Sequence, residues 1–240
     1  MFSHEVKQKI NQINERFSDS NPEELLHALT TEYSNKLAFA TSLGAEDQAL
    51  THMLVNADKQ LRIFTLDTGR LFPETLDLLD KTNKRYNINI ELFFPAAQEV
   101  ENMVHKKGIN LFYESVENRK ECCHIRKILP MKRALKDVEV WISGLRAEQS
   151  VTRQDLELAQ WDDNFQLIKI SPLRSWNEEQ LWKYIKDNNI PYNPLHDKGF
   201  SSIGCLPCTR AVEPGEDVRA GRWWWEQPEM KECGLHKKGD

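Results

Sequence analysis

The 240-residue chain has no apolar run long enough to span a bilayer and no leading apolar segment with a small-residue cleavage site. A membrane protein and an exported one are thereby disfavoured, and the expected compartment is the cytoplasm, where structural disulfides are rare. Positive charge is not in surplus either. Lys and Arg number 32 against 37 Asp and Glu, a formal net charge of −5, which argues against a general nucleic-acid binder. Neither a Walker loop nor a dinucleotide fingerprint is present. Internal repeats, low-complexity tracts and a clear linker are also missing. The expectation is one α/β domain over residues 1–240, with a C-terminal extension at 209–240.

Cysteine is scarce, and its five copies fall into a tandem pair, Cys122-Cys123, a spaced pair, Cys205-x-x-Cys208, and a solitary Cys233. Two separated pairs of thiolates can converge on a metal centre and leave the last thiol free to react. Cys205-x-x-Cys208 has zinc-like spacing, yet adjacent cysteines fit the second half of a zinc site poorly. A four-iron cubane presents separate iron corners, so neighbouring residues can each take one, and thiolates are its usual ligands. Cluster, zinc and unliganded thiols all stay open on the residues alone. Cys233 is surrounded by Lys231, His236, Lys237 and Lys238, which favour the nucleophilic thiolate, with Glu232 opposing them. An incidental thiol near a terminus is the other reading.

Arginine and lysine gather beside these motifs: Arg119, Lys120, Arg126 and Lys127; Arg146 and Arg153; Arg210, Arg219 and Arg222. A basic pocket on a mildly acidic protein points to a small anionic ligand. Val6, Ile10, Ile13 and Phe17 mark a first amphipathic helix, and Asn21-Pro22-Glu23-Glu24 opens a second. Strands are expected at Leu37–Thr41, Arg62–Leu66, about Ile88–Phe94, Val138–Ser143 and Phe165–Ile170. Helices are expected after the first three, from Pro73 to about Tyr86 and about Ala96 to Lys106 in the second and third cases. A helix over 117–136 is broken by Pro130, and Ser175 with Glu178 caps another that ends near Asn188. Successive β-α units imply a parallel sheet flanked by helices, with ligands beyond the strands' carboxyl ends. Ser42-Leu43-Gly44 and Asp67-Thr68-Gly69 fall there, the first offering backbone N–H groups to an anion, the second a carboxylate to ribose hydroxyls. The competing reading of Asp67 is a turn-capping aspartate. The stretch from Pro191 is irregular around Cys205 and calls for a staple such as a metal centre. Three consecutive indoles, Trp223 to Trp225, cannot all face one core.

Taken together, Ser42-Leu43-Gly44-Ala45-Glu46-Asp47, Leu66-Asp67-Thr68-Gly69, Cys122-Cys123 with Lys127, Gly144-Leu145-Arg146 to Arg153, Cys205-x-x-Cys208, Arg219-x-x-Arg222 and Glu232-Cys233-Gly234-Leu235-His236 resemble the assimilatory adenylylsulfate (APS) reductases. The resemblance runs from about Ser42 to His236 and implies an adenine-nucleotide α-hydrolase-like, ATP-pyrophosphatase-type fold. It further implies a 4Fe–4S cluster on Cys122, Cys123, Cys205 and Cys208, with Cys233 as catalytic nucleophile. Lys127 would lie between cluster and substrate. Arg146, Arg153, Arg219, Arg222 and His236 would surround the phosphosulfate, while Leu66 to Gly69 and the Ser42 loop hold the adenosine and phosphate ends. The implied reaction takes APS to sulfite and AMP with thioredoxin, a separate chain, as reductant. A reductase for the 3′-phosphorylated substrate (PAPS), one using both, or a zinc-dependent nucleotide-binding or sulfur-transfer protein are the alternatives. Homo-oligomer formation is left open.

Overall fold

The computed structural model describes residues 3–149 and 153–227. Two helices lead, α1 (His4–Arg16) and α2 (Pro22–Tyr33). The Asn21 side chain accepts from the Glu23 amide, and Pro22 sits in the first turn, where a missing N–H costs nothing. Then β-α units follow one another: β1 (Leu37–Ala40) and α3 (Ala45–Ala57), β2 (Arg62–Leu66) and α4 (Pro73–Tyr86), β3 (Glu91–Phe93) and α5 (Ala97–Lys107). After a long crossover come β4 (Val140–Ile142), β5 (Ala159–Asp162), β6 (Leu167–Ile170) and α8 (Glu178–Asp187).

The six strands lie in the order β3-β2-β1-β4-β6-β5, and every pairing is parallel except β5 with β6. Period-two alternation sends Phe39, Val140, Ile142, Ile168 and Ile170 into one core with α1, α2, α3 and α8. Ala38, Phe64, Trp141 and Leu167 face the opposite side, under Met131, Ala134 and Leu135. A third, smaller cluster gathers Met103, Phe112, Ile125, Cys205, Cys208 and Trp223. No described helix is long and apolar enough to cross a membrane.

Three local expectations change. β5 is an added antiparallel edge strand, short and with half-buried Gln160 and Trp161, so its pattern was too weak to stand out. The cap of α8 is Asn177 with Gln180, a reciprocal capping box two residues beyond Ser175. The helix through the tandem cysteines does not stop at Pro130. It runs as α6 (Val116–Cys123), a π-helical turn (His124–Ile128) and α7 (Leu129–Ala134). The wide turn ends with the Leu129 amide bonded to the His124 carbonyl, one residue before the ring that lacks an N–H.

Leu26 is fully inaccessible in the α2 face of the main core. Leu26→Ala is expected to lower the unfolding free energy by about 2–5 kcal/mol, read from urea denaturation.

Candidate active site

The sheet order reverses between β1 and β4, and a crevice opens where their carboxyl ends diverge. Thr41, Ser42, Ser143 and Gly144 line it, and it widens into a cavity of about 230 Å³. Phe64, Leu66, Met131 and Trp141 form an apolar wall, suited to a flat ring. Lys127, Arg153, Arg219 and Arg222 bring positive charge to the lining, and Glu46 and Asp47 bring acid.

The acid lies at the start of α3. Asp47 is buried and accepts hydrogen bonds from the Ser42 amide at 2.5 Å and the Ser42 hydroxyl at 2.6 Å. Burial pushes its carboxyl up to about 6, against those two bonds, with Glu46 adding to the rise. Two donors of the Ser42 turn are thus engaged within the protein. Leu43 is in the left-handed region (φ 61°) and buried, so it holds the turn's shape from beneath and does not line the cavity. Gly144 lets the Asp47 carboxyl approach: a Cβ there would stand 2.1 Å from Asp47 Oδ1. Arg146 is also outside the lining. It is buried, with Nε donating to Glu46 Oε1 at 2.9 Å and Nη1 to Glu148 at 3.0 Å, and so fixes Glu46.

The second loop, Asp67 to Arg70, carries mixed roles. Leu66 and Thr68 line the cavity, while Asp67 Oδ1 accepts from the Gly69 amide at 2.8 Å and caps the turn. Gly69 (φ 69°) supplies the left-handed residue that turn requires. The Thr68 carbonyl accepts from Arg126 at 2.6 Å, and the Thr68 hydroxyl lies 3.3 Å from Cys205 Sγ.

Cys122, Cys123, Cys205 and Cys208 line one small cavity, with Arg70, Arg119, Arg126, Lys127 and Arg222 around them. Lys127, Cys205, Arg222 and Trp223 belong to both cavities and form their common wall. The irregular stretch around Cys205 is held by its own bonds. The Leu206 amide donates to the Arg70 carbonyl at 2.8 Å, Thr209 Oγ1 to the Cys205 carbonyl at 3.0 Å, and Thr209 bridges to Arg222. Burial raises the Cys122 thiol and pushes Cys208 up to about 12, with Cys205 adding to the latter rise. Burial acts upward on Cys205 too, but Lys127, the Thr68 hydroxyl, Arg222 and Arg126 together bring it below the ordinary thiol value. Among the described residues, no three His, Cys, Asp or Glu side chains come close enough together to share a single metal ion.

Cys233 and His236 lie outside the described residues. Of the other residues expected at the substrate, Ser42, Gly44, Leu66, Thr68, Lys127, Arg153, Arg219 and Arg222 share the large cavity. Glu46 and Asp47, which belong to the Ser42–Asp47 motif but were given no role at the substrate, also line it, as do His196, Ser201 and Ser202, which sequence reading passed over. The serines had one signal, their place just before Gly204-Cys205; His196 had none.

A mostly parallel sheet with its crevice at this reversal of strand order defines an adenine-nucleotide α-hydrolase-like protein, and solved structures agree. A phosphate complex of phosphoadenylyl-sulfate reductase from Candida auris superposes with a TM-score of 0.73 at 27% identity, over 88% of this chain and 98% of that one. Yeast FAD synthetase, at 15% identity, shares the fold with a TM-score of 0.57, over 88% of this chain and 70% of its own. The family model of the phosphoadenosine phosphosulfate reductase domain matches residues 36–211. Adenosine 5′-phosphosulfate reductases of Allochromatium vinosum and Burkholderia cepacia are 50% and 51% identical, covering 90% and 85% of this chain and 84% and 82% of theirs. The chain belongs to this PAPS/APS reductase family.

Asp47 gives a pH test. Its carboxyl is raised on folding, so its contribution favours the fold below about pH 4 and is lost as pH rises through about 6. Asp47→Asn should therefore gain on the wild type across that interval and level off above it, by an amount on the order of 3 kcal/mol. Urea unfolding at a series of pH values measures it; a gap independent of pH would exclude the titration.

Proposed function

We propose that this protein reduces adenosine 5′-phosphosulfate to sulfite and AMP, with a separate thioredoxin as reductant, in assimilatory sulfate reduction leading to cysteine. The reading is carried by one observation: a nucleotide-sized cavity shares a cationic wall, Lys127 and Arg222 with Cys205, with a pocket lined by four cysteines. Relatives that are about half identical over most of this chain bear the name of that reductase. The expected setting is the cytoplasm.

Residues 209–240 act as the extension that delivers Cys233, and the family match ends at residue 211, close to its start. The adenine lies against the apolar wall, and Lys127, Arg153, Arg219, Arg222 and His236 offset the phosphosulfate charge that would repel an approaching thiolate. The Cys233 thiolate attacks the sulfur of the anhydride, and AMP leaves with the bridging oxygen and its electron pair. The sulfo group is then held as a thiosulfonate on Cys233. A thioredoxin thiolate attacks Cys233 Sγ and expels sulfite, and its second thiol resolves the mixed disulfide.

Cys122, Cys123, Cys205 and Cys208 would hold a 4Fe–4S cluster. They fit it by chemistry: four sulfurs on one cavity, with cations that offset thiolate charge. Bound there, the cluster would supply a fixed electrostatic centre beside Lys127 and would fasten the 122–123 helix to the 205–208 turn. Use of the 3′-phosphorylated nucleotide, alone or beside APS, is the second reading, favoured by the likeness to the Candida auris enzyme. Competition between the two nucleotides at equal concentration separates them.

Cys233→Ser is expected to abolish thioredoxin-dependent sulfite release from APS while AMP binding and iron content stay unchanged. Substantial residual turnover would remove Cys233 from the chemistry. Cys205→Ser is expected to lose iron, measured per protein chain on anaerobically purified material; full iron content would undo the ligand assignment.

A further inference from the structure

Outside the two cavities, the described surface carries a group of large exposed apolar side chains: Ile109 (58% exposed), Leu206 (48%), Tyr113 (44%) and Trp224 (40%). Shared hydrogen bonds and one ring contact bring them close together. Arg70 donates to the Ile109 carbonyl at 3.2 Å and accepts from the Leu206 amide at 2.8 Å. The Tyr113 hydroxyl donates to the Pro207 carbonyl at 2.8 Å, and the Tyr113 and Trp224 rings lie 6.3 Å apart. Large exposed apolar side chains gathered in this way mark an interaction site. None of these four side chains lines the large cavity, so substrate binding does not account for the patch.

The position of the patch along the chain says what covers it. Trp225 packs on Tyr113 at 4.5 Å, and Gln227 follows two residues later. Cys233 is six residues beyond Gln227. Even fully extended, six residues reach only ~20 Å, so the Cys233 Cα can lie no further than about that from Gln227, two residues beyond Trp225. Whatever discharges an adduct on Cys233 has to come to the same neighbourhood. The other four cysteines line the small cavity, so the chain offers no spare thiol to resolve that adduct, and the two electrons must come from outside.

We propose that Ile109, Tyr113, Leu206 and Trp224 form the docking surface for the dithiol protein that reduces the Cys233 adduct. This rests on the reductase reading above and names the surface its partner uses. With the partner seated, one of its thiolates attacks Cys233 Sγ and the Cys233–sulfo bond breaks, sulfite departing with the electron pair. The partner's second thiol, after losing its proton, attacks the partner's own sulfur in the mixed disulfide and frees the Cys233 thiolate. The dithiol is oxidised to a disulfide by two electrons, and the sulfo sulfur is reduced by two.

Ile109→Glu and Trp224→Glu, each made alone in the full-length, cluster-loaded protein, test this. The adduct is first formed with radiolabelled APS in the absence of reductant, then discharged with either thioredoxin or dithiothreitol. Both variants are expected to form the adduct and release it to dithiothreitol at wild-type rates, while the thioredoxin concentration for half-maximal discharge rises by about tenfold or more. Unchanged thioredoxin dependence in both variants overturns the proposal. Slower adduct formation, which would assign the patch to the chain's own terminal segment, overturns it as well. So does a fall in sedimenting mass, which would assign it to a second copy. If the wild type forms no adduct from APS, the reductase reading itself fails.

Discussion

Burying a guanidinium costs several kcal/mol unless its donors and its charge are met, and this protein buries three around one small cavity. Arg119 is 1% exposed and meets Glu226 through two bonds, at 2.9 and 2.7 Å. Arg126 gives one bond to the Thr68 carbonyl. Arg222 lies with its guanidinium 4.7 Å from the centre of the Trp223 ring, as does Arg119, so one indole serves two cations. Only Arg119 has a buried carboxylate as its described partner. The remaining positive charge faces sulfur and, with the Thr68 hydroxyl, brings the Cys205 thiol below its ordinary value against the upward push of burial.

That balance also explains why the segment after Cys208 packs so closely. Gly204 admits the Arg222 guanidinium, which would stand 2.3 Å from any Cβ placed there. Gly221 allows the Arg210 carbonyl to approach, which a Cβ would meet at 2.2 Å, and the Arg210 amide donates to the Gly221 carbonyl at 3.0 Å. Between these two glycines the chain doubles back, and the Trp223 amide reaches the Cys208 carbonyl at 3.2 Å. Trp223 itself has φ 41°, an uncommon conformation for a bulky residue, held there by its neighbours on both sides. The C-terminal strap is thus shaped to bring one arginine and one indole to the wall that the cysteine pocket shares with the nucleotide-sized cavity.

The parallel sheet and its crevice were legible in the sequence, because Leu37–Ala40, Arg62–Leu66 and Val140–Ile142 are short apolar runs with turn residues at their ends. The cysteine pairs were legible as a group from their count alone. What escaped was set by geometry that one-dimensional spacing does not carry. Arg146 reads as an anion ligand from its place after Gly144-Leu145, yet Glu46, a hundred residues earlier, engages it. Asp67 reads as a ribose ligand or, nearly as readily, as a cap, and its Oδ1 does cap the turn through the 2.8 Å bond from the Gly69 amide. His196 sits among Pro, Tyr and Asn with no periodicity to mark it, and burial, outweighing nearby carboxylates, holds its ring below the ordinary histidine value.

The π-helical turn after the tandem cysteines shows how the two kinds of information meet. A straight α-helix carries 122 with 126, and 123 with 127, along neighbouring rows, one turn apart. All four of these residues line the small cavity, and Lys127 extends to the large one. The widened turn spans His124 to Ile128, across that second pair, and so changes the helix's register where the basic residues must reach inward. Pro130 makes this change less costly. Its ring cannot donate to the Arg126 carbonyl in any register, so the helix gives up one bond fewer by departing from α geometry there. A proline that reads as a helix stop is here the residue that lets the helix bend its register around the cysteines and continue.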